Sequence, residues 1–206
     1  MRLTGIVLHN PVLGVELVTT EVDEDGGTRL VADYEIEPHR PRDEFRHVHR
    51  TWTEEFQILA GEARYEVGGE ERPARAGEVA ELPANVPHLH PWNAGDGLMR
   101  MRQIATLDPP DPEALRYVGY GIATLYGTVA EGRHDAKGRP PLMQVASTLR
   151  SFQRYGIFLD KPAVPVQRLL FGLLAAIGWL GGVRPYYQRH LLQATGAAPR
   201  RRAAAG

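Results

Sequence analysis

Histidine and glutamate residues in the first half of the chain have the types and spacing of metal ligands. His47 and His49 stand two residues apart, so in a strand both imidazoles point to one face and can reach one ion. By alternation, Glu54 shares a strand face with Phe56 and Ile58, where a carboxylate is costly unless it is paired or bound to a cation. A solvated Glu54 at the mouth of the strand is the alternative, and this segment alone leaves both open.

A third segment ends in another histidine. It starts with a turn glycine, Gly77, continues as a short strand and a proline-containing turn, and reaches His88. His90 follows on the same strand face, either as a fifth ligand or as a substrate contact. Imidazoles and a carboxylate suit a divalent transition ion (Fe, Mn, Ni, Zn, Co or Cu) better than Mg²⁺ or Ca²⁺, and ligand type alone does not select among them.

The spacing of these segments resembles the two motifs of the cupin superfamily. In the first motif, HxH is followed after three or four residues by Glu and after six more by Gly; here four residues separate His49 from Glu54, and Gly61 follows after six. In the second, five residues separate Gly from Pro and four separate Pro from His. Gly77, Pro83 and His88 keep that spacing. The likeness spans residues 41–93, and the chain also resembles bacterial cupin proteins with helical C-termini.

Three positions depart from the motifs without removing a ligand. Pro41 stands where the first motif begins with glycine. Asn85 replaces the turn glycine of the second motif, and Asn is the residue next best suited to positive φ. Four residues, where the motif has three, separate His88 from Asn93, which predicts a β-bulge near His90 and Pro91.

The resemblance implies a ligand set, a fold and a range of reactions. It implies that one ion is bound by His47, His49, Glu54 and His88, with other coordination positions open to water or substrate. A metal with open positions polarises a carbonyl, lowers the pKa of a bound hydroxyl, or binds dioxygen if it is redox-active. Five further residues are candidates for the substrate pocket, with plain barrel filling as the alternative for the large apolar ones: His90, Phe56, Trp92, Met101 and Gln103.

The elements that position these residues change character along the chain. Up to residue 107 short β-rich runs alternate with turn residues, which indicates a mainly β protein whose barrel, by the resemblance, is a cupin jelly roll (double-stranded β-helix). The expected strands are 4–9, 14–20, 28–37, 54–60, 62–67, 78–82, 88–92 and 98–106, with a hairpin at Gly68-Gly69. A proline-rich break then leads into an α-helical extension over 108–196, and 197–206 is expected to be a disordered tail.

Four helices are expected in the extension. They cover 112–130, 142–158, 165–181 and 185–194, with Asp111 as the N-cap of the first. Residues 169–183 carry no charge and lie between Arg168 and Arg184. Since fifteen residues fall short of the roughly 18–20 that span a bilayer, three interpretations stay open: packing within the fold, a homodimer interface, or peripheral membrane contact.

Composition restricts the remaining possibilities. The chain has no cysteine, which excludes disulfides, zinc–thiolate sites and cysteine nucleophiles. A net charge of −1 gives no overall argument for nucleic acid, so a small-molecule substrate is the expected partner. The N-terminus lacks the apolar run of a signal peptide, and a cytoplasmic location is expected.

Three functions are compatible with these residues. The first is a dioxygenase-type oxidoreductase acting on a small oxygen-rich molecule, resembling cupin dioxygenases, with Glu54 as the catalytic base. The second is redox-neutral isomerisation, epimerisation or cyclisation with the metal as a Lewis acid. The third is a small-molecule-binding protein without turnover, because a fold alone does not decide function.

Overall fold

Two antiparallel sheets followed by helices make up the chain. The structure is a computed structural model and describes residues 2–196. The first ten strands are β1 (Val7–Asn10), β2 (Val15–Val22), β3 (Arg29–Ile36), β4 (His47–His49), β5 (Trp52–Ala60), β6 (Glu62–Val67), β7 (Glu70–Arg75), β8 (Val79–Leu82), β9 (His88–Asn93) and β10 (Met99–Leu107). They are followed by α1 (Pro112–Ala130), α2 (Leu142–Phe152), β11 (Ile157–Leu159), α3 (Val164–Leu180) and α4 (Gln188–Gly196).

The two sheets pack through their inward faces and form the barrel. One sheet has the order β1-β2-β3-β10-β5-β8 and the other the order β11-β4-β9-β6-β7. Strand β5 alternates as predicted, with Glu54, Phe56 and Ile58 buried. Phe56 and Met101 from the first sheet share a buried cluster with Tyr65 from the second. Burying these apolar faces is the main force that holds the sheets together.

All eight predicted strands are present, as is the hairpin at Gly68-Gly69. Strands β4, β7 and β11 are not among the eight, although the predicted hairpin requires a second arm where β7 lies. The sequence of β7 is highly polar and contains Pro73. Both features suit its place at the edge of the second sheet, where proline costs no ladder hydrogen bond.

The helical part agrees with the predictions at its start and differs in its middle. Helix α1 covers the predicted range, and the Asp111 carboxylate accepts a hydrogen bond from the Ala114 N–H at 2.9 Å. The predicted helix 142–158 is wrong beyond Phe152, where a short 3₁₀ turn ends at Gly156 with φ 74°. The chain then forms β11, which pairs with β4. The extension thus completes the sheet that carries His47 and His49.

Helix α3 covers the apolar segment and is only half buried. Its Phe171 and Gly178 are buried, and Gly178 packs beside Met143 of α2. The opposite side of the helix is exposed. Among residues 2–196, no helix combines the length and the apolar character needed to cross a bilayer. The predicted tail, 197–206, lies outside the described residues.

Candidate metal centre

The candidate site lies between the two sheets, with residues from both. His47 and His49 are on β4, and His88 and His90 are on the neighbouring strand β9, where His88 pairs directly with His47. Glu54 faces them from β5 of the other sheet. The period-two alternation of each strand points these side chains into the same interior space.

The carboxylate of Glu54 lies at the centre of the site. Its Oε1 accepts a hydrogen bond from Gln103 Nε2 at 2.6 Å. Its Oε2 lies 2.9 Å from His90 Nε2, 3.5 Å from His88 Nε2 and 3.6 Å from His49 Nδ1. A buried carboxylate is therefore in contact with three imidazoles.

Two of the histidines are oriented by the backbone. His47 Nδ1 lies 2.8 Å from the carbonyl oxygen of Phe45, and His88 Nδ1 lies 2.9 Å from that of Val86. An imidazole that donates Nδ1–H to a carbonyl keeps a lone pair on Nε2, which is the usual arrangement in histidines that bind metals.

Buried nitrogen atoms without a hydrogen-bond partner indicate what the site is built to hold. Within the described residues, His88 Nε2 and His49 Nδ1 are buried and have no such partner. An unsatisfied buried polar atom costs free energy, so a native site of this kind is expected to have a further partner. A divalent transition ion fits, because both atoms converge on the Glu54 carboxylate.

The residues whose donor atoms lie closest together differ by one from the predicted ligand set. Donor atoms of His47, Glu54, His88 and His90 all lie within 4.8 Å of one another. His90 belongs to this group, and a fifth ligand was one of the two roles predicted for it. His49 is not a member, although its Nδ1 contacts Glu54. The structure thus brings all five residues to one place.

Electrostatics keeps the carboxylate charged and two of the imidazoles neutral. Burial, together with the charges of neighbouring histidines, lowers the pKa of His47 well below its usual value. Burial lowers the pKa of His49 to about 4. Burial alone would raise the pKa of Glu54, but His90 and His49 outweigh it and the pKa lies well below its usual range. At neutral pH the site therefore offers an anionic carboxylate and lone pairs, as a cation requires.

A hydrogen-bonded row continues from the carboxylate to the next strands. Gln103 Oε1 accepts a hydrogen bond from the Tyr34 hydroxyl at 2.7 Å, so Gln103 is held at both ends. Burial, with the nearby Tyr126 and Glu54, raises the pKa of Tyr34 well above its usual value. Tyr34 therefore stays protonated and keeps donating to Gln103.

A cavity of about 240 Å³ adjoins the site. His47, His49, Glu54, His90 and Gln103 line it at the metal end. The remaining lining is largely apolar and includes side chains from the helices: Leu115, Val118, Ile122 and Leu125 from α1, and Val145, Leu149 and Phe152 from α2. The helical extension therefore covers the opening of the barrel.

The predicted pocket residues fall in three places. His90 and Gln103 line the cavity. Trp92 and Met101 line a smaller neighbouring cavity of about 80 Å³ on another side of His90. Phe56 lies fully buried in the barrel core, with its ring centroid 5.0 Å from that of His90.

Sequence reasoning did not identify Tyr34, Asp43 or Tyr126, which line both cavities. Tyr34 pairs in register with Met101 on β10, so strand pairing would have revealed it. Asp43 lies in a loop and Tyr126 on the helix that covers the barrel, and no local pattern marks either residue.

Backbone features of the second motif are as predicted. Asn85 has φ 64°, and its N–H donates to the His49 carbonyl at 2.7 Å, which ties the turn to β4. In β9, His90 and Pro91 lie opposite a single residue of β6, Tyr65, so the predicted bulge is present.

Comparison with known proteins agrees with this architecture. Residues 32–106 match the family model described as "Cupin domain". This part of the chain, which forms most of the barrel, is therefore a cupin domain. A comparison with curated proteins found no match.

Several solved structures are similar to about half of the chain. The cupin domain of Schizosaccharomyces pombe Cnp3 is 13% identical with a TM-score of 0.42, covering 50% of this chain and 68% of that one. A predicted oxalate decarboxylase from Thermotoga maritima is 24% identical with a TM-score of 0.41, covering 45% and 80%. A cupin-superfamily sugar phosphate isomerase from Silicibacter pomeroyi is 20% identical with a TM-score of 0.40, covering 46% and 60%.

Proposed function

We propose that this protein is a metal-dependent enzyme of the dioxygenase type, acting on a small molecule with adjacent oxygens at one end and an apolar body. The observation that carries the proposal is the division of the cavity. Histidines and Glu54 are gathered at one end, and apolar side chains of α1 and α2 line much of the rest. A ligand of matching polarity places its oxygens at the ion and its hydrocarbon part under the helices.

Cavity size and lining narrow the class of substrate. A dry apolar cavity of roughly 150 Å³ accommodates benzene, so 240 Å³ has room for a substituted ring. A sugar would place hydroxyls against apolar side chains, where each lost hydrogen bond is costly. Catechol-like compounds, with two oxygens on one edge of a ring, match both the polar end and the apolar part of the cavity.

The residues around the cavity have separable roles in this proposal. His47, Glu54 and His88, with His49 or His90, would hold the ion, which supplies Lewis acidity and, if redox-active, reaction with dioxygen. Glu54 would leave the ion to accept the proton of the substrate hydroxyl, while the histidines hold the ion. The side chains of α1 and α2 exclude water from the reacting end. Both atoms of dioxygen enter the product, so no outside reductant is needed.

Metal analysis and oxygen uptake test the proposal together. Purified protein is expected to contain stoichiometric transition metal and to consume dioxygen with a 4-alkylcatechol. A His47→Ala/His88→Ala variant should lose both properties, whereas His134→Ala, at an exposed position, should keep both. Substrate preference should favour alkylated over sulfonated catechols, because the sulfonate cannot be solvated in the apolar part.

The other two functions give different results in the same assay. Product formed without dioxygen uptake would support redox-neutral chemistry. Retention of an unchanged ligand, with no product by mass spectrometry, would support a binding protein. Metal-free protein with full activity would contradict every metal-dependent version.

A further inference from the structure

Charge is divided very unequally along this chain. Residues 1–135 contain 13 basic and 24 acidic residues, whereas residues 136–206 contain 11 basic residues and a single acidic one, Asp160. The near-zero total conceals this division. Such an asymmetry is typical of a segment that meets an anionic partner.

The same segment carries an exposed apolar surface. We call it the α3 face; its residues are Val166, Leu169, Leu170, Leu173, Ile177 and Leu180. Leu169 is 76% exposed, Leu173 59% and Leu180 80%. At about 1.5 Å per residue, the face runs for roughly 20 Å along one side of the helix. A continuous apolar face of this kind marks an interaction surface.

Three arginines lie beside α3 without acidic partners. Arg168 lies over the ring of Phe158 at 5.7 Å, and Arg184 lies over that of Trp179 at 5.1 Å. Arg150 of α2 reaches α3 beside Gly172. Within residues 2–196, none of these three arginines forms an ion pair with a carboxylate. Arg184 also donates to the carbonyl oxygens of Trp179 and Val183 at 3.0 Å. The charges of Arg150 and Arg168 are therefore the ones available to a partner.

From these observations we propose that the α3 face docks onto an anionic membrane surface. The leucines enter the boundary between headgroups and acyl chains, and the arginines meet lipid phosphates. Since the other side of α3 is packed on α2, the helix lies in the plane of the membrane and does not cross it.

Charge favours lipid over a second copy of the chain. In a symmetric dimer the same surface meets itself, which would place two copies of the cationic α2 and α3 side by side with no acidic residue on either helix. Nucleic acid offers phosphates but no partner for the exposed leucines. An anionic bilayer satisfies both the apolar face and its arginines.

Vesicle co-sedimentation with the full chain tests the proposal. Vesicles of phosphatidylcholine are compared with vesicles that also contain phosphatidylglycerol. We expect strong binding only to the anionic vesicles, falling several-fold as salt is raised well above about 0.1 M. Leu169→Glu/Leu173→Glu should weaken binding more than tenfold. Leu59→Glu, at a 49% exposed position on the barrel, is the matched control and should bind like wild type.

A second variant separates the role of charge. Arg150→Gln/Arg168→Gln should weaken binding to anionic vesicles by roughly tenfold or more, since each arginine near such a surface contributes about fivefold. Circular dichroism and thermal melting check that every variant is folded. Absence of vesicle binding, or equal binding to neutral and anionic vesicles, overturns the proposal. A wild-type dimer that Leu169→Glu/Leu173→Glu makes monomeric, without vesicle binding, assigns the face to a second copy instead.

Discussion

At the scale of single residues, the candidate site depends on how Glu54 is held. Gln103 and His90 fix its two oxygens from different sheets, and Tyr34 fixes Gln103 in turn. The carboxylate therefore has little freedom to turn away from the histidines. Partners of this kind orient metal ligands and strengthen metal binding.

Replacing Gln103 should weaken metal binding without preventing folding. In Gln103→Ala, Glu54 Oε1 loses its 2.6 Å donor and the carboxylate is free to rotate. We expect metal affinity to fall by about 10–100-fold. Competition with a chelator of known affinity measures this change. Thr106→Ala, at an exposed position on the same strand, is the control, and equal affinity in both variants would contradict a positioning role.

Residue spacing predicted that these side chains converge, but not which histidine lies closest to Glu54. The alternation of β4 and β5 is local, so His47, His49 and Glu54 were readable from the sequence. The facing of His90 depends on the bulge opposite Tyr65, which is set by pairing with another strand. Spacing along one strand contains no information about that pairing, so the place of His90 beside Glu54 could not be fixed in advance.

At the scale of elements, the covering of the cavity depends on close contact between α1 and α2. Gly121 of α1 faces Phe152 of α2, and a Cβ at that position would lie 2.3 Å from the phenylalanine ring. Phe152 itself lines the cavity. A small residue at this crossing therefore sets both the helix distance and the shape of the pocket.

Two glycine-to-alanine substitutions should have opposite effects on stability. Gly121→Ala forces Phe152 to move and should destabilise the protein by about 1–3 kcal/mol. Gly172→Ala in α3 meets only the end of Arg150 at 3.7 Å, so it should be neutral or stabilise by about 0.5–1 kcal/mol through helix propensity. Urea unfolding measures both. Equal effects of the two substitutions would contradict close packing at Gly121.

Short edge elements were the hardest to predict. Strand β11 has three residues and lies within a stretch of helical periodicity. It becomes a strand because β4 offers an unpaired edge and Gly156 turns the chain towards it. A partner so distant in sequence leaves no trace in local patterning. Helix α1, by contrast, carries its own cap and apolar periodicity, and its limits were predicted correctly.

At the scale of the whole molecule, the barrel and the extension form one cavity between them. The barrel contributes the polar end and helices α1 and α2 contribute much of the apolar part. The charge division was present in the sequence, but the total of −1 concealed it. Counting charge by segment would have revealed this division. The cavity could be predicted only by knowing which helices lie over the barrel.

Burial of the histidines also makes the stability of the whole fold depend on pH. The pKa values of His47 and His49 are lowered by burial, that of His49 from 6.5 to about 4, so the unfolded chain binds more protons between these values. Stability of the metal-free protein should therefore fall as pH drops from 6.5 to 4, by up to about 3 kcal/mol from His49 alone. His90 and His49 lower the pKa of Glu54 despite its burial. Protonation of Glu54 below pH 4.5 should therefore reduce the stability of the metal-free protein further.

His90 does not reverse this trend. Burial opposes the charge of His90, but Glu54 outweighs burial and raises the pKa of His90. The stability that His90 contributes is therefore fully present below pH 6.5 and is lost only at higher pH. Urea midpoints of metal-free protein at pH 7, 5.5 and 4.5 measure the effect. The urea midpoint of His49→Gln should depend less on pH than that of wild type. The midpoint of His134→Gln, a substitution at an exposed position, should depend on pH as much as that of wild type. A constant midpoint, or a His49→Gln variant as sensitive as wild type, would show that the fold does not hold these imidazoles uncharged.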